Sequence, residues 1–458
     1  MNALILSAAL GVIMMFSGIL LKSKSAIRML AIAGAALLLL VNLAEMNGMV
    51  LFHVNTRGMI VFDQFGLLFN TIAFACTLLY FILSGKDMEK VGNNFSDYFA
   101  LIFFICCGIT LTSSFKSLLI LFLGIEIISI PLYILTGSDK KNLKSNEASL
   151  KYFLLGSFST GIMLMGIALI YGTRGSFDVA RLFGPGEVPS VLLMAGLLLL
   201  LFSMAFKVSA APFHFWTPDV YDGAPTVFTS YMATVVKAAV FIAFIRLFDE
   251  GFGFLHPNWK IFFVIITVAT LFIGNITAVF QQSVKRMLAY SSIAQAGFMM
   301  LALFAMNTDA KEGLLLYTTA YCLATIGIFA VLVRMKDYTF DGFNGFAKHQ
   351  PLLAGVLTVF LLSLAGIPLT GGFIAKFYML KAAMGASQGL GLLIFAVLMA
   401  AVSVYYYFRV IQAMYFKEGE ENARIETSAG FRYTLVLMAA LIILLGVFPN
   451  LLLGFFYF

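Results

Sequence analysis

Apolar residues run along this chain in stretches of about 20, interrupted by short polar connectors that carry most of the lysines and arginines. The runs do not alternate with polar positions as half-buried strands would. A helix rises about 1.5 Å per residue, so roughly 20 apolar residues cross a hydrocarbon layer about 30 Å thick. Fourteen such segments are expected, near 3–21, 27–46, 64–84, 98–114, 117–136, 150–172, 190–215, 225–248, 260–282, 286–305, 311–334, 351–382, 388–415 and 432–456. The pattern predicts an all-α polytopic membrane protein of about 14 transmembrane helices. No connector is long enough for an added soluble domain. The longest, near 173–189 and 416–431, have room for a short amphipathic turn.

Two segments are interrupted at a charge. Segment seven carries Lys207 and, five residues on, Pro212; segment twelve carries Pro368 and then Lys376. Proline removes a backbone donor and clashes with the preceding turn, so both segments are expected to be broken helices. Irregular backbone at membrane depth is tolerated where it is buried in protein or lines a wet cavity. The two lie five segments apart, which predicts two five-helix repeats, segments 4–8 and 9–13, inverted in the membrane because the unit is odd-numbered. The expected divisions are residues 1–97 (helices 1–3), 98–248 (first repeat), 260–415 (second repeat) and 416–458 (a C-terminal helix).

Composition agrees with the pattern: the 458 residues are 61% hydrophobic and 11% charged. The net charge of +7 does not read as nucleic-acid binding, since the basic residues form no stripe interleaved with aromatics. It comes from connector bias. With the N-terminus placed outside, eighteen of the 29 Lys and Arg residues fall on cytoplasmic connectors or their flanks and eight on the other side. That distribution predicts both termini outside. The N-terminus lacks a basic region and a small-residue cleavage site and reads as a retained first helix. Cys76, Cys106, Cys107 and Cys322 lie in apolar segments without CxxC or histidine companions, so no disulfide, zinc or iron–sulfur site is expected. There is no Gly-rich phosphate loop.

Four charged residues fall inside apolar runs: Glu126, Lys207, Lys237 and Lys376. A lysine at mid-span costs roughly 2.5–3.5 kcal/mol on insertion scales, which makes each a candidate functional group. Buried carboxylates tend to take up a proton and buried amines to lose one, whereas the two together stay ionised. A pair that opens and closes is therefore a proton switch, and Lys207 is the expected partner of Glu126. The plainer readings are helix packing for Glu126, snorkelling for Lys207, and structural pairing for Lys237 and Lys376. Gly371 and Gly372 beside Lys376 can let that helix open.

Accessory candidates are weaker. His214 lies two turns beyond Lys207 and suits a relay near neutral pH, but its place by Pro212 and Pro218 equally suits helix-end packing. Tyr290, Ser292 and Gln295, with Ser291, put polar groups on segment ten that could hold water or simply pack helices. His53, His256 and His349 read as surface residues. Tyr405, Tyr406 and Tyr407 with Arg409 read as a membrane-interface belt.

Four motifs carry a resemblance: GIEIISIPLYIL, FKVSAAPFHFWTPDVYDGAPT, KRMLAYSSIAQAGF and LAGIPLTGGFIAKFYML. From about residue 98 to 415 the chain resembles the antiporter-like membrane subunits of bacterial NADH–quinone oxidoreductase, respiratory complex I, and more distantly Mrp-type cation/proton antiporter subunits. The surroundings of Glu126 and a lysine at 376 resemble subunit N, where the M subunit is expected to carry a glutamate. No long lateral helix comes after segment fourteen, unlike the L subunit. The resemblance implies a proton-translocating subunit of a translocase, with Glu126 on the fifth helix, Lys207 on the broken seventh, Lys237 on the eighth and Lys376 on the broken twelfth. It implies no redox cofactor in this chain: NADH, FMN, Fe–S clusters and quinone would be handled by partner subunits. Partners would be other membrane-arm subunits, including a second antiporter-like one, in a bacterial inner membrane. Gln295 departs from the histidine frequent there in relatives, which removes a titrating group from segment ten. The alternative is an Mrp-type antiporter subunit, which would depend on a transported cation such as Na⁺.

Overall fold

The structure is a computed structural model that describes residues 1–92, 94–386, 389–419 and 425–456. Residues 420–424 of the 416–431 connector, residue 388 at the start of the thirteenth expected segment, and residues 457–458 lie outside the described residues. Among the described residues the regular structure is helical throughout, with three isolated β-bridges and no strand. Among the described residues eleven helices are long and apolar enough to cross a membrane. Two shorter apolar helices, Val191–Lys207 and Pro351–Ala365, accompany them. This is a multi-pass membrane protein.

In chain order the helices are α1 (Asn2–Leu20), α2 (Lys24–Met46), α3 (Gln64–Met88), α4 (Phe95–Ser114), α5 (Leu118–Thr136), α6 (Leu143–Arg174), α7 (Val191–Lys207), α8 (Trp216–Gly223), α9 (Thr226–Tyr231), α10 (Lys237–Phe252), α11 (His256–Val279), α12 (Val284–Ala305), α13 (Thr308–Leu332), α14 (Phe346–His349), α15 (Pro351–Ala365), α16 (Gly371–Gly385), α17 (Leu390–Phe416), α18 (Ala429–Val447) and α19 (Asn450–Leu453). Many starts are written locally. Asp63, Ser117, Asn142, Ser190, Asn307, Thr370 and Ser428 each accept a backbone N–H of the first turn. Such caps satisfy donors that a helix cannot satisfy internally. The expected turn near 173–189 is a single 3₁₀ turn, Val179–Arg181.

The chain forms two compact units. The first comprises residues 1–209, 223–225 and 235–261. In it α4 packs against α1, α3, α5 and α10. The α6–α7 pair meets at Gly166 and Gly196, where a Cβ on either would lie 2.9 Å from the other's carbonyl oxygen. Lipid offers apolar side chains no advantage in associating, so close backbone approach through small residues is what such pairs gain. One end of this unit is tied by Arg246, buried on α10, which donates to both carboxylate oxygens of Asp63 (3.0 and 2.6 Å) and to the Ser113 carbonyl (2.6 Å). Glu250, 3.4 Å from its Nε, also accepts from Lys116 (2.6 Å). The connector bias alone treats Arg246 and Lys116 as loop charges; both are instead members of an ion cluster.

The second unit comprises residues 210–222, 226–234 and 262–458. Here α13 packs against α15, α16 and α18, and α12 against α13 and α16. Two expectations change. Of the supposed interface belt only Tyr405 is exposed; Tyr406 and Tyr407 are fully buried. Tyr406 donates to Asn275 (3.1 Å) and Tyr407 joins the polar network around Gln295. Successive residues on a helix point about 100° apart, so three adjacent tyrosines cannot all face one interface. His256 is not a free surface loop residue: it opens α11 and meets the Trp259 ring edge-on at 4.6 Å, within the first unit.

Candidate functional site

In the first unit α7 ends at Lys207 itself. The chain then takes up a positive φ at Ser209 and a cis peptide at Ala211–Pro212. Lys207 Nζ lies 3.8 Å from Glu126 Oε1 and donates to Ser129 Oγ at 3.0 Å. Thr160 of α6 donates to the same Glu126 oxygen at 2.8 Å. The lysine side chain is 6% exposed and the glutamate 20%. Glu126 and Ser129 lie three apart on α5 and so share a face; Pro131 comes next within the helix and removes one of its backbone bonds. The expected pair is therefore assembled, with hydroxyls on both sides of it.

Lys237 is 2% exposed at the first residue of α10. A π-helical turn, Met232–Val236, precedes it, and in that turn Thr234 donates to the Ser230 carbonyl at 2.6 Å. An i→i+5 turn inserts one residue and rotates the next side chains to a new face; such turns occur often at functional sites.

In the second unit the twelfth expected segment divides into α15 and α16 at Gly366–Thr370. Gly366 closes α15 with φ +83°. The carbonyls of Leu364 and Ala365, left without helix partners, accept from Lys376 Nζ at 2.9 and 3.0 Å. The ammonium also lies 4.6 Å from the centroid of the Phe298 ring. Two carbonyl dipoles at a helix C-terminus and an aromatic face together make a cradle for a cation.

Gln295 is the hub beside it. Its amide donates to the Leu364 carbonyl (3.0 Å) and to Tyr407 Oη (2.9 Å), and its oxygen accepts from Tyr317. Tyr407 and Ser291 share a further hydrogen bond. Lys376 and Gln295 thus meet on one oxygen. A cavity of about 10 Å³ lined by Gln295, Tyr317, Tyr321, Ser363 and Lys376 is the size of a single water. Ser292 lies beside the hydroxyls of Tyr221 and Tyr321. Tyr290, half-buried, stays outside this network. His214 is 6% exposed in the turn before α8, against Phe215, with its Nδ1 unpartnered. Among the described residues no group of three or more His, Cys, Asp or Glu side chains is placed to hold a metal.

Sequence reasoning missed Ser129, Thr160, Phe298, Tyr317 and Tyr407. Ser129 had a signal in its spacing from Glu126, and Phe298 in its spacing from Gln295; Thr160, Tyr317 and Tyr407 reach the site from other helices.

The profile of the family described as NADH:quinone oxidoreductase/Mrp antiporter, TM, matches residues 115–403. A Cytophaga hutchinsonii protein named NADH-quinone oxidoreductase subunit N is 41% identical, with 99% of each chain covered. A chain in the structure of respiratory complex I from Thermus thermophilus with bound aureothin is 32% identical at a TM-score of 0.86, covering 99% of this chain and 98% of that one. A chain of the membrane-bound sulfane sulfur reductase, an archaeal respiratory membrane complex, is 25% identical at a TM-score of 0.88, covering 99% and 96%.

Proposed function

This chain belongs to the NADH-quinone oxidoreductase subunit N family, within the NADH:quinone oxidoreductase/Mrp antiporter membrane proteins, and on that premise we propose that it translocates protons as a membrane-arm subunit of such an oxidoreductase. The Glu126–Lys207 pair, its lysine buried and its glutamate half-buried, carries the reading. A carboxylate and an ammonium 3.8 Å apart stabilise each other's charged forms. Separating them favours release of a proton from the amine and uptake by the acid. Lys237 and Lys376 are the further members of the relay. Two carbonyls and the Phe298 ring hold the Lys376 amine, so passing its proton on requires the cradle to loosen, which the break at Gly366 permits. His214, Tyr290, Ser292 and Gln295 are accessory, with Gln295 organising rather than titrating.

The finer architecture belongs to the same proposal. The continuous helical stretch Thr226–Val279 has 54 residues, roughly 81 Å if straight at 1.5 Å each, far beyond one bilayer thickness. Reading it as two crossings, and α7–α8 and α15–α16 as one broken crossing each, gives fourteen. Segments 4–8 and 9–13 are then inverted repeats, with residues 1–97 and 416–458 flanking them. Both termini face the periplasm across a bacterial inner membrane. NADH, FMN, Fe–S clusters and quinone are the business of partner subunits, and a second antiporter-like subunit is among the neighbours.

Replacing Lys207 with Ala in the assembled complex, with quinone reduction and proton pumping measured together, tests the proposal. Fewer protons pumped per quinone reduced is the expected result; wild-type pumping overturns it. The Mrp-type alternative predicts Na⁺-dependent transport in vesicles, and H⁺ pumping unaffected by Na⁺ removal excludes it.

A further inference from the structure

A cavity of about 770 Å³ opens at the end of the first unit that carries the α5–α6 connector. Lys90, Asp97, Asp139, Lys140 and Lys141 are among its lining, as is Tyr133 of α5. Lys90 is already held by Asp87 at 2.7 Å, so two lysines face two carboxylates. That balance suits water and exchanging protons better than an anionic headgroup. Tyr133 is 7% exposed, and its hydroxyl lies beside Ser129. Its ring stands edge-on to Tyr152 at 4.8 Å and to Phe153 at 5.8 Å, an aromatic collar around it. Behind the collar is the pair: Ser129 lies one turn back on the same face of α5, and Glu126 nearly one further turn back. The facing helix keeps the same register. Gly156 of α6 leaves the space the Tyr133 hydroxyl fills, since a Cβ there would sit 2.2 Å from it, and Thr160, one turn on, holds Glu126.

We propose that this cavity is the water-filled proton access route to the Glu126–Lys207 pair and that the Tyr133 hydroxyl is the relay at its inner end. The inference rests on the reading of that pair as a proton switch. A vestibule hydronium gives a proton to Tyr133 Oη as the hydrogen already on Oη passes to Ser129 Oγ. Ser129 turns its own hydrogen from the Ile125 carbonyl to the neutral Lys207 amine, 3.0 Å away. One water and one ammonium result, and both hydroxyls are regenerated.

The assay uses the whole complex in liposomes, with protons pumped per quinone reduced as readout. Tyr133→Phe keeps the ring and its collar but removes the relay; Gly156→Ala keeps the hydroxyl but displaces it. Both are expected to lose as much pumping as Lys207→Ala. If both pump like wild type while Lys207→Ala is impaired, access lies elsewhere and the pair's role stands. If Lys207→Ala itself pumps normally, the pair's role fails and the route falls with it. Should Tyr133→Phe fail to assemble, Ser138→Cys decides. A charged, membrane-impermeant methanethiosulfonate added at the α5–α6 connector side is expected to react there and to cut pumping, leaving wild type untouched. A thiol at 138 that does not react overturns the proposal.

Discussion

Gln295 uses both amide hydrogens and its oxygen, and each goes to a different helix. Two of those partners have a second bond: Tyr407 has Ser291, and the Leu364 carbonyl has Lys376. Tyr317 depends on Gln295 in this network. Gln295→Leu should therefore cost about 1–3 kcal/mol, the penalty for one buried hydroxyl left unsatisfied, rather than three times that. Thermal unfolding of the purified complex measures it, and adding Tyr317→Phe should return most of the loss. If the double variant is no more stable than Gln295→Leu, the hydroxyl is not the source of the cost. In the sequence, Gln295 was legible as a polar group in an apolar run. Its partners were not, because Tyr407 lies 112 residues away.

Breaks are the elements that matter here, and they were legible because proline and glycine act locally. α7 stops at Lys207 and α15 at Ala365. The π turn before Lys237 had no such signal: MATVV contains neither residue. The α15–α16 break depends on close backbone approach, since a Cβ on Gly372 would lie 1.8 Å from the Ser363 carbonyl oxygen. Gly372→Ala should force the two half-helices apart and lower the yield of assembled complex severely. Gly355→Ala, in α15 with nothing within 4 Å of its new Cβ, should be neutral or stabilising by up to about 1 kcal/mol. Quantifying assembled complex by native electrophoresis distinguishes them; equal yields would show the break tolerates a side chain.

At the scale of the whole molecule, the connector charges predict sidedness. Lys140→Cys and Lys417→Cys should label with an impermeant maleimide only from the cytoplasm, and Arg57→Cys and Arg181→Cys only from outside. Labelling of Lys140→Cys and Arg57→Cys from the same side would reject the orientation. The expectation uses only loop charge, and burial complicates it: Arg246, counted with the outer loops, is 3% exposed and held by Asp63. Charge counting sees residue type and position but not whether the side chain turns inward.

The amino-acid sequence alone determined the helical membrane character and the two interruptions, and it marked Lys237 and Lys376, both of which are buried. These are one-dimensional properties: hydrocarbon thickness sets segment length, and a missing N–H or Cβ acts within a turn or two. Tertiary packing decided the companions. Lys207 meets Ser129 across 78 positions, and Tyr406 and Tyr407 face inward while Tyr405 does not. Which face of a helix meets which neighbour is fixed by close contact in three dimensions, and no spacing along the chain encodes it.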